Sequence, residues 1–337
     1  MIKYPYLEPN TTIGVTAPSS GLKTELHPWM HAATSRLKAQ GYVVNCGETV
    51  WTEQKAKSAP AHIRATELNA MLTDDSTGLI FPPWGGELLI ETLEHLNLEA
   101  IKPKWVLGYS DISVLLLAIT LRTGIATAHG TNLVDLRGET DDETTAMWQS
   151  ILTTKTGESI VQHSSAAYQK EWPETPSPTV FKLTEPTAWR SMSGAPVRMQ
   201  GRLLGGCIDV IRHLIGTPFG DVRRFREQFI SNEPIVWFLE NCELNTVDLR
   251  RSLVQMKLAG WFKHCAGIMF GRSPANRPVD GYTAEDVYAD VAAELQLPVI
   301  YDIDCGHVPP QLTLINGAYA EIEVANGSGT VRQTFRP

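Results

Sequence analysis

The chain has 337 residues, 43% of them hydrophobic and 20% charged, an ordinary globular composition with length enough for roughly two domains that each bury a core. A formal net charge of -8 disfavours a general nucleic-acid or anionic-membrane binder, since either would want a basic face to neutralise phosphates. Residues 1–10 carry no apolar signal core, the longest apolar run is 114–119, and Cys46, Cys207, Cys242, Cys265 and Cys305 lack paired spacing, so the expectation is a cytoplasmic protein with reduced thiols and no structural zinc.

Residues 12–17 read as a first strand, followed by the turn Pro18-Ser19-Ser20-Gly21. Helical spacing over 31–40 stops at Gly41 and gives way to a strand at 42–45, the alternation of a parallel sheet with crossover helices. A helix over 64–72, a buried strand at 78–81, the turn Pro82-Pro83-Trp84-Gly85-Gly86 and an amphipathic helix over 87–96 continue the pattern. Trp105, Val106 and Leu107 then make a short strand, Gly108 and Tyr109 permit a sharp turn, and the run from Asp111 is helical and almost wholly apolar. Ser110 therefore sits between strand and helix, where backbone N–H groups and the positive end of the helix dipole can stabilise an oxyanion. Ile112 stands where a G-x-S-x-G elbow has its second glycine, so the motif is not that of an ordinary α/β-hydrolase, and a serine here equally suits a helix N-cap. One more short strand, 124–128, ends at His129-Gly130. Open α/β sheets hold ligands at the carboxyl ends of their strands, which puts Gly85-Gly86 and Ser110 on one edge.

Between 163 and 196 the composition shifts to Pro173, Pro176, Pro178, Pro186 and Pro196 with little periodicity, marking a connection between domains at 1–162 and 197–337. Trp172, Phe181 and Trp189 are interleaved there and either close over a substrate or pin the connection to a domain, pinning being the preferred reading. The second half resumes with a strand at 197–204, the turn Gly205-Gly206 and a helix over 207–214. A strongly apolar strand, 234–239, ends in Glu240; a helix over 247–258, a strand at 266–270 and a helix over 284–295 follow, the last with Thr283 and Asp286 set as a capping box. The strand 298–303 runs out into Asp304-Cys305-Gly306-His307, and strands around the turns Asn316-Gly317 and Asn326-Gly327 close the chain.

Ser110, Glu240 and His307 thus each stand just beyond the carboxyl end of an expected strand. Acyl transfer by serine needs those three types, because a neutral hydroxyl is a poor nucleophile until an imidazole takes its proton and a carboxylate orients that imidazole. Their meeting requires the two domains to face each other, with the site in the cleft between them. Rivals exist for each. Glu243 competes with Glu240, His129 also follows a strand, and Asp302 or Asp304 would hold His307 as a structural histidine. The Cys305 thiol has no activating neighbour in sequence, and Asp111 reads as a helix-start carboxylate.

Taken in order, TAPSS at 16–20, Gly85-Gly86, PKWVLGYSD around Ser110, His129-Gly130, GRLLGG at 201–206, FLE at Glu240 and Gly306-His307 resemble the LD-carboxypeptidases and the related microcin C immunity peptidases, over nearly the whole chain. The resemblance implies a serine peptidase with Ser110 as nucleophile, His307 as general base, Glu240 as its orienting carboxylate, and the N–H groups of Gly86 and Asp111 as oxyanion hole. It implies a flavodoxin-like N-terminal domain with a parallel sheet, a C-terminal β-rich α/β domain, a homodimer, and no metal or other cofactor. The expected substrate is a murein-derived peptide ending in a D-amino acid; the alternatives are an aminoacyl- or peptidyl-nucleotide amide, or a small ligand clamped without catalysis. The carboxypeptidase branch usually has an arginine before the glycine pair and Tyr-Gly after it, whereas Trp84 and Glu87 stand here. Trp84, Trp172 and Trp189 are accordingly the candidate substrate contacts.

Overall fold

The computed structural model describes residues 1–171, 180–231 and 233–337. The chain builds two sheets. The first runs Val43–Cys46, Thr12–Val15, Thr77–Ile80, Trp105–Gly108, Thr127–His129 and Leu314–Asn316 in spatial order. Its first five members are parallel, in the flavodoxin-like order 2-1-3-4-5. Ile13, Val15, Leu79, Ile80, Val106 and Leu107 are all buried, as strands covered on both faces require. Ile112–Thr123 is the most deeply buried helix here, apolar all round because it is covered all round, and it stops at Gly124 in the left-handed conformation. The strand order reverses between Thr12–Val15 and Thr77–Ile80, the point at which such sheets open a ligand crevice.

The second sheet runs Ser159–His163, Ser328–Thr334, Tyr319–Ala325, Val197–Cys207, Ile235–Glu240, Cys265–Gly271, Val299–Ile303 and Arg190–Ser191. From Val197–Cys207 to Val299–Ile303 it is parallel, and its flanks are antiparallel. The helix Ala284–Leu295 carries the expected Thr283–Asp286 capping box.

The halves interlock more than a simple two-domain chain would. Ser159–His163 pairs with Ser328–Thr334, so the expected boundary at 162 falls inside a strand of the second sheet. Arg190–Ser191 pairs with Val299–Ile303, so this part of the expected connection is an edge strand. Leu314–Asn316 crosses back to the first sheet beside Thr127–His129. The expected α-helix over 87–96 is instead a 3-10 helix, Leu89–His95. Tertiary bonds capture its first turn, since Arg64 takes the Leu88 carbonyl and Asp111 takes the Leu89 N–H.

Helix Ile112–Thr123 fixes the sheets to each other. Ser113 Oγ accepts the Cys207 N–H at 3.0 Å, and a Cβ on Gly206 would lie 2.6 Å from Ser113 Cβ. Cys207 pairs in register with Glu240 on the next strand. The helix that begins beside Ser110 is thereby bonded one strand away from Glu240.

Candidate active site

Ser110 follows strand Trp105–Gly108 with φ 62°, a left-handed backbone that a serine rarely adopts. Turning the chain this sharply lifts the hydroxyl above the strand end and starts the helix at once, with the Ser113 N–H bonded to the Ser110 carbonyl at 2.9 Å. Ser110 is no simple N-cap, because its hydroxyl is bonded to His307 Nε2 at 3.0 Å. His307 Nδ1 lies 2.9 Å from Glu240 Oε2, so hydroxyl, imidazole and carboxylate stand in series. Strand Ile235–Glu240 delivers the carboxylate, and the loop after Val299–Ile303 delivers the imidazole. Gly306 makes their approach possible: its φ is 100°, and a Cβ there would sit 2.6 Å from Glu240 Oε2.

Burial acts oppositely on the two members. It opposes charge on His307, yet the Glu240 carboxylate overrides it and holds the imidazole well above its usual pKa, with the Cys242 thiol adding to the rise. Burial also pushes Glu240 up, but the His307 charge and hydrogen bond bring it below the usual carboxylate range. The pair is therefore built to hold a proton on the imidazole beside an ionised carboxylate.

The rivals take other places. His129 is fully buried, which pushes its pKa down to about 4, and its Nδ1 lies 3.8 Å from Cys305 Sγ. Glu243 is exposed, with its N–H held by Asp209. Asp304 is buried between Arg272, Ser165 and Trp189, and Asp302 faces Arg190. Burial pushes the Cys305 thiol well above its usual value.

A cavity of about 490 Å³ opens over Ser110 and His307. The loop after the first strand contributes Ser20, Gly21 and Lys23, the loop after the third Trp84, Gly85 and Gly86, and Tyr109 and Asn132 come from the fourth and fifth. Gly86 has φ 138°, and a Cβ on Gly85 would come within 2.5 Å of Ser110 Cβ and 2.9 Å of Asp111 N. Among the described residues, no protein acceptor is bonded to the N–H of Gly86 or of Asp111. Trp84 lines the cavity with its Nε1 donating to the Gly21 carbonyl at 3.1 Å.

Trp189 corrects the sequence reading of a substrate contact. It is buried in the second core, where its ring lies directly over Gly329 of the strand Ser328–Thr334, and its Nε1 donates to Asp304 at 2.8 Å. Trp172 lies outside the described residues. Sequence reasoning missed Tyr109, whose ring meets that of His307 edge-on at 5.0 Å, and Asn132, which accepts the Tyr109 N–H at 3.2 Å. Asn132 stands just past His129-Gly130, so its position at a strand end was the available signal. Asp111 starts the helix as expected, but its carboxylate is turned into the fold.

Comparison with known proteins agrees with this architecture. The LD-carboxypeptidase N-terminal domain matches residues 13–130, and the LD-carboxypeptidase C-terminal domain matches residues 200–322. A Vibrio cholerae protein named as a carboxypeptidase is 26% identical over 322 residues, covering 93% of this chain and 92% of its own. A Bacillus subtilis protein named as a murein peptide carboxypeptidase is 24% identical over 330 residues, 96% of this chain and 92% of its own. A solved structure of MccF, the microcin C7 self-immunity protein of Escherichia coli, in complex with glutamyl sulfamoyl guanosine aligns over 100% of this chain and 99% of that one, with TM-score 0.83 at 21% identity. With both family domains matched in order and the fold shared end to end, this chain belongs to the LD-carboxypeptidase family.

Proposed function

We propose that this protein is a serine-type LD-carboxypeptidase that releases a C-terminal D-amino acid from murein-derived peptides. The observation that carries the reading is the serial hydrogen bonding of Ser110, His307 and Glu240 at the floor of an open cavity. In this reading His307 Nε2 takes the Ser110 proton as Oγ attacks the scissile carbonyl, and Glu240 stabilises the imidazolium that forms. The N–H groups of Gly86 and Asp111 receive the tetrahedral oxyanion. Collapse breaks the C–N bond, His307 passes its proton to the departing amine, and an ester on Ser110 remains. Water, deprotonated by the same imidazole, then hydrolyses the ester and restores the hydroxyl. Because His307 is held above its usual pKa, the rate should rise with pH through a midpoint above the unperturbed value of about 6.5.

A second reading, hydrolysis of an aminoacyl- or peptidyl-nucleotide amide, is supported by the fold shared with MccF and by an indole on the cavity wall. The same proposal takes the protein as a cytoplasmic homodimer, which sedimentation of the purified chain would check. Among the described residues no helix is long and apolar enough to cross a membrane.

The test incubates wild type and Ser110→Ala with an L,D-tetrapeptide and with an aminoacyl-sulfamoyl adenosine, following products by mass spectrometry. Release of the D-amino acid by wild type, reduced at least about 10⁴-fold in Ser110→Ala, is the expected result. Turnover of the nucleotide amide alone selects the second reading. Function unchanged in Ser110→Ala would leave only a non-catalytic clamp.

A further inference from the structure

The carboxylate next to the nucleophile has an arrangement that the serial relay does not use. Asp111 is 2% exposed, and a single oxygen, Oδ2, accepts from Ser19 Oγ at 2.5 Å and from the Leu89 N–H at 2.8 Å. Those donors lie in two different loops: Ser19 follows the first strand of the first sheet, and Leu89 begins the 3-10 helix after Gly85-Gly86. The two loops are in direct contact. The Ser20 N–H donates to the Gly85 carbonyl at 3.2 Å, and a Cβ on Gly86 would overlap Ser20 Oγ and lie 2.5 Å from Ser19 Oγ. Arg64, fully buried, donates to the carbonyls of Pro18 and Leu88 and to Glu91, clamping the same two loops from behind. Asp111 is thus the link between this clamp and the elbow.

We propose that Asp111 is a positioning residue whose side chain holds the Gly85-Gly86 loop at its distance from Ser110, so that the Gly86 and Asp111 N–H groups converge on one point. This rests on the reading of Ser110 as nucleophile. Donors aimed at an oxyanion are effective only when fixed before charge develops, since a loop that must reorganise loses the advantage. Asp111 contributes to the converging pair twice: its own N–H is one member, and its carboxylate sets the loop that carries the other. A buried carboxylate with two donors is a rigid tie, and truncating it leaves the Leu89 N–H and the Ser19 hydroxyl buried without their acceptor.

The charge of the tie is itself titratable. Burial pushes Asp111 up to about 6; the Ser19 hydroxyl, the Leu89 N–H and Arg64 oppose that rise, and Glu87 adds to it. Protonation weakens Oδ2 as an acceptor, so acid loosens the loop in addition to protonating His307. In wild type the logarithm of kcat/KM should fall with slope one below the His307 midpoint, steepen through about pH 6 by a further loss of up to about tenfold as Asp111 protonates, and return to slope one below that.

The experiment measures kcat, KM and the pH profile of wild type, Asp111→Ala, Asp111→Asn and Ser19→Ala on the substrate that wild type turns over, together with inhibition by a substrate-derived aldehyde, which forms a tetrahedral adduct, and by the cleaved product peptide, which does not. Asp111→Ala should lower kcat about 10²- to 10³-fold, the scale of a lost oxyanion donor, with KM within threefold. Aldehyde inhibition should weaken by a similar factor while product binding holds. Asp111→Asn, which keeps the shape and an acceptor, should lose about tenfold or less and show slope one throughout the acid limb. Ser19→Ala guards against an Asp111→Ala that fails to fold, and should lower kcat with little effect on KM. Full kcat in Asp111→Ala, or a fall in product binding as large as the fall in kcat, would overturn the proposal. Activity retained by Ser110→Ala identifies the separate failure of the nucleophile reading, and retained activity there together with a slow Asp111→Ala would likewise rule out an oxyanion role.

Discussion

The two sheets furnish the site by different physical means. The first sheet contributes mainly backbone: Ser110 at φ 62°, Gly86 at φ 138°, and N–H groups at the start of a buried helix. The second contributes ionisable side chains, with Glu240 buried beneath His307 and each shifted by the other's charge. Around the reacting atoms, the first side is therefore most sensitive to added volume and altered dihedrals at Ser110 and Gly86, and the second is sensitive also to a lost charge in an unchanged shape at Glu240.

The largest break expected in this contrast is Glu240→Gln, which keeps volume and removes charge. With the Glu240 charge gone and burial opposed only by Cys242, the His307 pKa should fall, so the acid limb moves to lower pH while the plateau of kcat drops about 10⁴-fold. A kcat/KM profile against pH checks both parts; a plateau within tenfold of wild type would remove Glu240 from the relay. The counterpart on the first sheet is Gly86→Ala, which adds one methyl and no charge. The new Cβ would overlap Ser19 and Ser20 in a backbone conformation that alanine rarely adopts, so kcat should fall about 10²-fold while the acid-limb midpoint stays in place. Steady-state kinetics with a thermal melt distinguishes this from global unfolding, and a moved midpoint would show that the two sides are not separable.

The same contrast explains which parts of the fold and the site are legible in the amino-acid sequence. Apolar strands bounded by Gly and Pro are legible because burial imposes their pattern, and Ser110, Glu240 and His307 are legible because each ends such a strand. Crossovers are not. Ser159–His163 and Leu314–Asn316 join sheets remote from their neighbours in the chain, a choice made by long-range pairing that local periodicity does not encode. Trp189 reads identically whether it lines a cavity or a core, and its burial in the second core, with its bond to Asp304, decides between them. The inward turn of Asp111 is hidden for a related reason: an acidic residue at a helix start already has a sufficient local explanation in the dipole.

The smallest effect expected falls on a first-sheet side chain that takes no part in the relay, Trp84. Its indole lies on the cavity wall, anchored through Nε1 to the Gly21 carbonyl, and the relay atoms are bonded elsewhere. Replacing it by leucine removes an aromatic face without adding charge or straining the backbone. If the face stacks on a planar group of the substrate, KM should rise about tenfold at constant kcat, within the span of base–aromatic stacking. Applied to both substrates, the substitution becomes a measure of ligand class: a rise confined to the nucleotide amide assigns the wall to a nucleobase, and an equal rise for the tetrapeptide assigns it to apolar packing. A fall in kcat with unchanged KM would instead tie Trp84 to the adjacent Gly85-Gly86 loop, moving it from the substrate wall to the backbone side of the comparison.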